Sequence, residues 1–267
     1  MNDDLIQLGL IDDAEILLAD AALALALLDH PDTNPAPYYD MIEAAAVRLE
    51  AMNGGATDAD DRADSLAAVF GDELGFVGDE QSYDDPANAD LIRVIDRRRG
   101  LPISLSIVYV AAARRLGWEA NILDVPGHVL VMVGTEVVPV IVDPFRGGAR
   151  VGRERLAAMV AASVTGAPAA AAHVSVMPNR AVLVRLLLNQ ASRAERAGKG
   201  RRALELYHRM TIVAPSFAQP WWERARLEMV DGDIAGARVS LTAMLEITRD
   251  PAVRQRVTDT LRGLPVA

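Results

Sequence analysis

The hydrophobic period of this chain switches at Gly117, and that switch constrains its fold more than any other feature. Upstream, Pro102 to Leu116 reads as a helix. Pro102 stands where proline is tolerated in a first turn, and Gly117 is a natural C-terminal cap. Downstream the period drops to two. Trp118 to Val125, His128 to Val133 and Glu136 to Val142 are short β-branched runs separated by Pro126-Gly127 and Gly134-Thr135. A helix followed by an antiparallel meander is an α+β core.

The flanks read as helix. Leu5 to Leu28 is rich in Ala and Leu and is closed by Pro31, Pro35 and Pro37. Tyr38 to Met52 stops at Asn53-Gly54-Gly55, and Asp58 to Phe70 stops at Gly71. Leu66, Val69, Phe70 and Leu74 share a face and belong in a core. A short helix from Asp90 to Arg98 precedes the break at Arg99-Gly100. Beyond Pro178 a repeat appears: Gly198 and Gly232, Ala203 and Ala237, and Tyr207 and Leu241 each stand 34 residues apart. That period is the mark of tetratricopeptide-type helix pairs, with small residues for close approach and glycines at the turns. Trp221 falls where such a repeat buries an aromatic. The expected division is a helical region at 1–80 packed on a core at 81–160, a linker at 161–180, and helical repeats with a capping helix at 181–267.

Composition enters through what it excludes. The sequence holds no cysteine, so there is no disulfide, thiolate metal site or thiol nucleophile. Residues 1–90 carry 22 acidic side chains against two basic ones, and residues 91–267 carry 15 against 25. Such a split suggests attraction between the halves. It does not point to nucleic acid, because the basic half lacks interleaved aromatics and any binding motif. The longest early apolar run, Ala21 to Leu28, is far short of the ~20 residues that span a bilayer, and the start Met-Asn-Asp-Asp is the opposite of a signal peptide. The expectation is a cytoplasmic protein with no membrane contact. His30, His128, His173 and His208 show no i, i+4 pairing, and no phosphate-binding glycine loop is present, so no metal or cofactor is expected.

Three polar residues stand out from the apolar core: Ser104, His128 and Asp143. With a turn at Gly134-Thr135, His128 faces Ile141 and Asp143 lies diagonal to it on one face; a turn centred one residue later pairs the two directly. Either arrangement lets the carboxylate fix the imidazole tautomer, as in a nucleophile–base–orienter triad. Ser104 lies in a first helical turn, where the dipole favours a developing anion. Plainer roles fit as well. Asp143-Pro144 is a common turn opener, Pro-Gly-His can simply begin a strand, and Ser104 can satisfy a helix-start N–H.

Several motifs carry a resemblance. They are Phe70 to Gly78, Tyr83-Asp-Asp-Pro86 with Asn88, Val94 to Leu105, Tyr109, Arg114 to Gly117, Pro126-Gly-His128 and Val142-Asp-Pro-Phe145. Together they resemble the SirB-type transglutaminase-like family, whose members join such a domain to C-terminal tetratricopeptide repeats. The resemblance implies a papain-like core with Cys at a helix start, His on one strand and Asp on the next. His128 and Asp143 match the last two. The thiol position falls near Pro102, with Ser104 half a turn beyond, and this chain has no cysteine to supply. Thioester chemistry is therefore closed to it, and a serine hydroxyl is a much weaker nucleophile without a strong, well-aimed base.

Three readings follow. The first is a non-catalytic protein that binds a protein or peptide partner through its repeats. The second is a hydrolase or acyl-transfer enzyme using Ser104, His128 and Asp143. The third is a ligand pocket oriented by His128 and Asp143. The position of the Ser104 hydroxyl relative to His128 separates them. The sequence sets no oligomeric state.

Overall fold

The computed structural model describes residues 2–53, 58–135, 137–164 and 174–265. The chain forms two compact units, one of residues Asp13–Val182 and one joining α1 (Asn2–Leu10) to the chain from Leu183 onward. This differs from the expected division in two ways. The stretch from residue 161 to 182 belongs with the sheet, while the first helix does not. The expected single helix from Leu5 to Leu28 is interrupted by a 3-10 turn at Asp13–Glu15, because both Asp13 carboxylate oxygens accept backbone N–H groups, from Asn179 at 2.9 Å and Arg180 at 2.8 Å.

In the larger unit the helices are α2 (Leu18–Leu27), α3 (Ala36–Asn53) and α4 (Ala59–Leu66), the last capped by Asp58. The helix expected to stop at Gly71 instead widens into a π-helical turn over Ala67–Glu73. Then come β1 (Val77–Gly78), a 3-10 turn at Pro86–Ala89, α5 (Leu91–Arg97), β2 (Arg99–Gly100) and α6 (Pro102–Arg115). Asp90 caps α5 by accepting the Arg93 N–H, and Arg98, at φ 56°, ends it in the left-handed region. α6 is buried at every position from Pro102 to Ala113. A helix apolar on all sides has no solvent face, and this one is surrounded by α2, α3, α5 and the sheet.

The sheet runs β3 (Ala120–Val125), β4 (His128–Val133), β5 (Val140–Asp143), β6 (Ala149–Arg150) and, after α7 (Arg153–Val164), β7 (Ser175–Val176). Its spatial order is β6-β5-β4-β3-β7, antiparallel throughout. β7 and the start of α8 (Asn179–Arg196) thus occupy part of the expected linker. Residues 165–173 of that linker, Glu136 and the turn at Gly54-Gly55 lie outside the described residues. The acidic early helices meet basic core residues inside this unit. Arg115 pairs with Asp20 and Glu43, and Arg150 with Asp60 and Asp64. Most of these side chains are exposed, so each pair contributes little by itself.

In the second unit α8 is followed by α9 (Gly200–Val213), α10 (Ala218–Asp231), α11 (Ile234–Ile247) and α12 (Pro251–Gly263). The two glycines of the 34-residue spacing end α8 and α10 identically. Gly198 and Gly232 have φ of 69° and 82°, and the next residue's N–H reaches back to Ala194 and Glu228 respectively. Ala203, Ala237 and Leu241 are fully buried. Trp221, expected in the core, is half-buried and packs at the edge of the Ala225, Leu241, Met244 and Val257 cluster. Gly9 lets α1 lie on α9: a Cβ there would stand 2.3 Å from the Ile212 carbonyl oxygen.

Candidate functional site

The β3–β4 hairpin closes through Pro126-Gly127, with Gly127 at φ 77° as a type II corner requires. Val125 and His128 are its last pair. β5 pairs with β4 as Val131 with Val142 and Val133 with Val140. The turn is therefore centred later than either arrangement drawn from the sequence, and carrying the register back sets Asp143 opposite Leu130. His128 and Asp143 are diagonal neighbours on one face. The His128 Nε2 lies 3.1 Å from both Asp143 oxygens. A carboxylate only accepts, so Nε2 carries the proton and Nδ1 is the basic nitrogen of the neutral ring. Asp143 is 1% exposed. It also accepts the Phe145 N–H at 3.1 Å, which fixes the 3-10 turn at Pro144–Arg146.

Phe145 spreads this pair into a surface. Its ring meets the His128 ring edge-on at 6.2 Å and the Tyr83 ring at 6.0 Å. It lies against bare backbone at Gly78, where a Cβ would come within 2.4 Å of the ring. Tyr83, 46% exposed, stands on a loop held from beneath. The buried Asp79 accepts the Ser82 N–H at 2.9 Å and pairs with Arg97 at 2.8 Å. Arg97 also donates to the Asn88 side-chain oxygen at 3.2 Å, and the Asn88 amide donates to the Ser82 carbonyl at 2.6 Å. The Ser82 N–H above all, then Asn88 and Arg97, hold the Asp79 carboxyl below its ordinary range against the opposing effect of burial.

Ser104 belongs to this scaffold. It is fully buried, and its hydroxyl donates to the Asn88 carbonyl at 2.9 Å rather than to the imidazole. The structure thus brings His128 and Asp143 together and turns Ser104 toward the loop. Ser106 donates within its own helix, to the Pro102 carbonyl at 2.8 Å. Ser104→Ala is expected to cost about 1 kcal/mol in urea denaturation, since the Asn88 carbonyl keeps the Leu101 N–H at 3.0 Å. Loss of folding would contradict that accounting.

Sequence reasoning did not single out Asp79, Arg97 or the Gly78–Phe145 contact as parts of one site. A usable signal for the first was the Asp79-x-x-Ser82 spacing, which suits a carboxylate that caps its own turn. Among the described residues no group of three or more His, Asp or Glu side chains is placed to hold a metal ion, and no helix is long and apolar enough to cross a membrane.

Comparison with known proteins bears on the same segment. The profile of the transglutaminase-like superfamily matches residues 36–188, a span that includes every residue of this site. A UPF0162 protein of Xylella fastidiosa (strain 9a5c) is 30% identical over 247 residues, 90% of this chain and 87% of that protein. One from Vibrio cholerae is 30% identical over 133 residues, 49% of this chain and 48% of that protein. F-box only protein 21 of Homo sapiens is 35% identical over 68 residues, 26% of this chain and 11% of that protein.

Proposed function

The chain belongs to the transglutaminase-like superfamily, and from that premise we propose that it is a non-catalytic member acting through protein–protein interaction or regulation. The observation that carries this is the Ser104 hydroxyl on the Asn88 carbonyl, in a chain without a single thiol. The His128–Asp143 pair could orient a base, yet neither the residue type nor the side-chain direction at the start of α6 delivers a nucleophile to it. We further read the chain as SirB-type, with α8 to α12 as tetratricopeptide-type repeats that hold a protein or peptide partner. The matched glycine caps at Gly198 and Gly232 and the buried Ala203 and Ala237 support that reading.

The alternative, a hydrolase or acyl-transfer enzyme built on Ser104, His128 and Asp143, keeps the geometry of the last two in its favour. A serine-reactive fluorophosphonate separates the readings. Wild type and Ser104→Ala are expected to remain equally unlabelled. Labelling of wild type that disappears in Ser104→Ala overturns the non-catalytic reading. The binding half is checked with the immobilised chain: a lysate protein released by alanine substitutions on exposed positions of α8 and α10 supports it, and retention that no such substitution alters counts against it.

A further inference from the structure

The larger unit contains a cavity of about 570 Å³ at the end of α6 remote from Ser104. Its walls include Ile16, Leu18, Ala111, Val176, Met177 and Pro178, and the exposed Leu17 stands at its rim. The volume falls within the ~300–1,000 Å³ of small-molecule sites, which are likewise apolar with a few placed polar groups.

Arg114 supplies the polar group of interest. Its Nε donates to the Ala120 carbonyl at 2.9 Å, Nη1 to the Asn179 side-chain oxygen at 2.8 Å and Nη2 to the Asn121 side-chain oxygen at 3.0 Å. All three acceptors are neutral, and among the described residues no carboxylate lies in ion-pair contact with this guanidinium. One N–H remains on each terminal nitrogen. The Asn179 amide cannot turn to do otherwise, because its nitrogen donates to the Asp13 carbonyl at 2.9 Å. The two carboxylates lining the cavity are engaged elsewhere. Asp13 accepts the two first N–H groups of α8, and Asp20 faces Arg115 at 3.5 Å. Burial draws the Arg114 guanidinium below its ordinary value even with Asp13 acting in the opposite sense. An anion beside it would offset that penalty through charge-assisted hydrogen bonds.

We propose that this cavity binds a small amphipathic carboxylate, with its chain along the apolar wall and its head group on Arg114. The proposal does not depend on the fate of His128 or Ser104.

The test uses the full chain and three probes, read by titration calorimetry: decanoate and decyltrimethylammonium below their micellar concentrations, and decanol below its solubility limit. Decanoate is expected to bind saturably at one site, with decanol about tenfold weaker and the ammonium weaker still, as loss of a charged hydrogen bond implies. Leu17→Glu places a like charge at the rim on an exposed side chain, so folding is preserved. It is expected to weaken decanoate about tenfold more than decanol, which carries no charge for the new carboxylate to repel. Arg114→Lys, which keeps the charge and loses the planar fork, is expected to weaken decanoate as well; should it fail to fold, the head-group series on wild type still decides. Absence of saturable decanoate binding, equal affinity for the alcohol, or indifference to Leu17→Glu overturns the proposal.

Discussion

Gly71→Ala is expected to destabilise the protein by about 3 kcal/mol or more, the range of severe packing and strain effects. Helix propensity alone predicts the reverse sign, since alanine is favoured over glycine by about 1 kcal/mol inside a helix. The contact decides. A Cβ at Gly71 would lie 2.2 Å from the Gly147 carbonyl oxygen, 3.0 Å from its carbon and 3.2 Å from its Cα. All three atoms are backbone, so no rotamer change relieves the overlap. Gly147 is itself fixed by a left-handed φ of 64° and by its N–H to the Pro144 carbonyl. Gly148 closes the same seam, for a Cβ there would meet the Ala67 Cα at 2.8 Å. The π-helical turn is thus pressed directly on the turn that carries Asp143, and loss of one perturbs the other. Gly75→Ala serves as the control. It has φ of 71° but open space around it, so it is expected to cost only about 1 kcal/mol. Urea midpoints compare the two, and a Gly71→Ala protein as stable as wild type would show that the seam is not under constraint.

The parts of this architecture that the sequence made legible are those governed by local periodicity. The change at Gly117 marked helix against sheet because side-chain alternation is set residue by residue. The glycine and alanine pairs at 34 residues marked the second unit's helix pairs for the same reason. What escaped was direction and distance. The place of Ser104 in a first turn was readable, but the acceptor that fixes its hydroxyl, Asn88, lies 16 residues away on a 3-10 turn. The His128–Asp143 contact was expected on one face of the sheet, yet its register needed a turn whose length the Gly134-Thr135 signal understated. The first helix was joined to α2 because Leu5 to Leu28 is rich in the helix formers Ala and Leu, whereas Asp13 is drawn out of that helix by α8 far along the chain. The Ser104 and Asp13 cases each involve a partner distant in sequence, where propensity is silent.

Arg97→Met is expected to cost about 3 kcal/mol at pH 7, near the lower bound for breaking a buried pair from one side. The lower bound applies because the Arg97 side chain is 32% exposed, so water still reaches that end, whereas Asp79 is 5% exposed and is left charged without its counter-ion. The effect is tied to pH in a definite sense. The folded Asp79 carboxyl lies below its ordinary value, so its contribution is fully present above the unfolded value of ~3.9 and is lost as pH falls through the folded one. Without Arg97 the carboxylate keeps the Ser82 N–H but is held less strongly, so the variant has less to lose on acidification. The stability gap between wild type and Arg97→Met should therefore narrow below about pH 4 toward the ~1 kcal/mol of the remaining Asn88 hydrogen bond. Urea denaturation at neutral and acid pH measures the gap, and amide exchange across residues 79–90 reports whether the loop bearing Tyr83 opens with it. A gap that is the same at both pH values would mean that Arg97 acts through packing and the Asn88 bond alone. The Asp79 charge would then not be what holds Tyr83 and Phe145 beside His128.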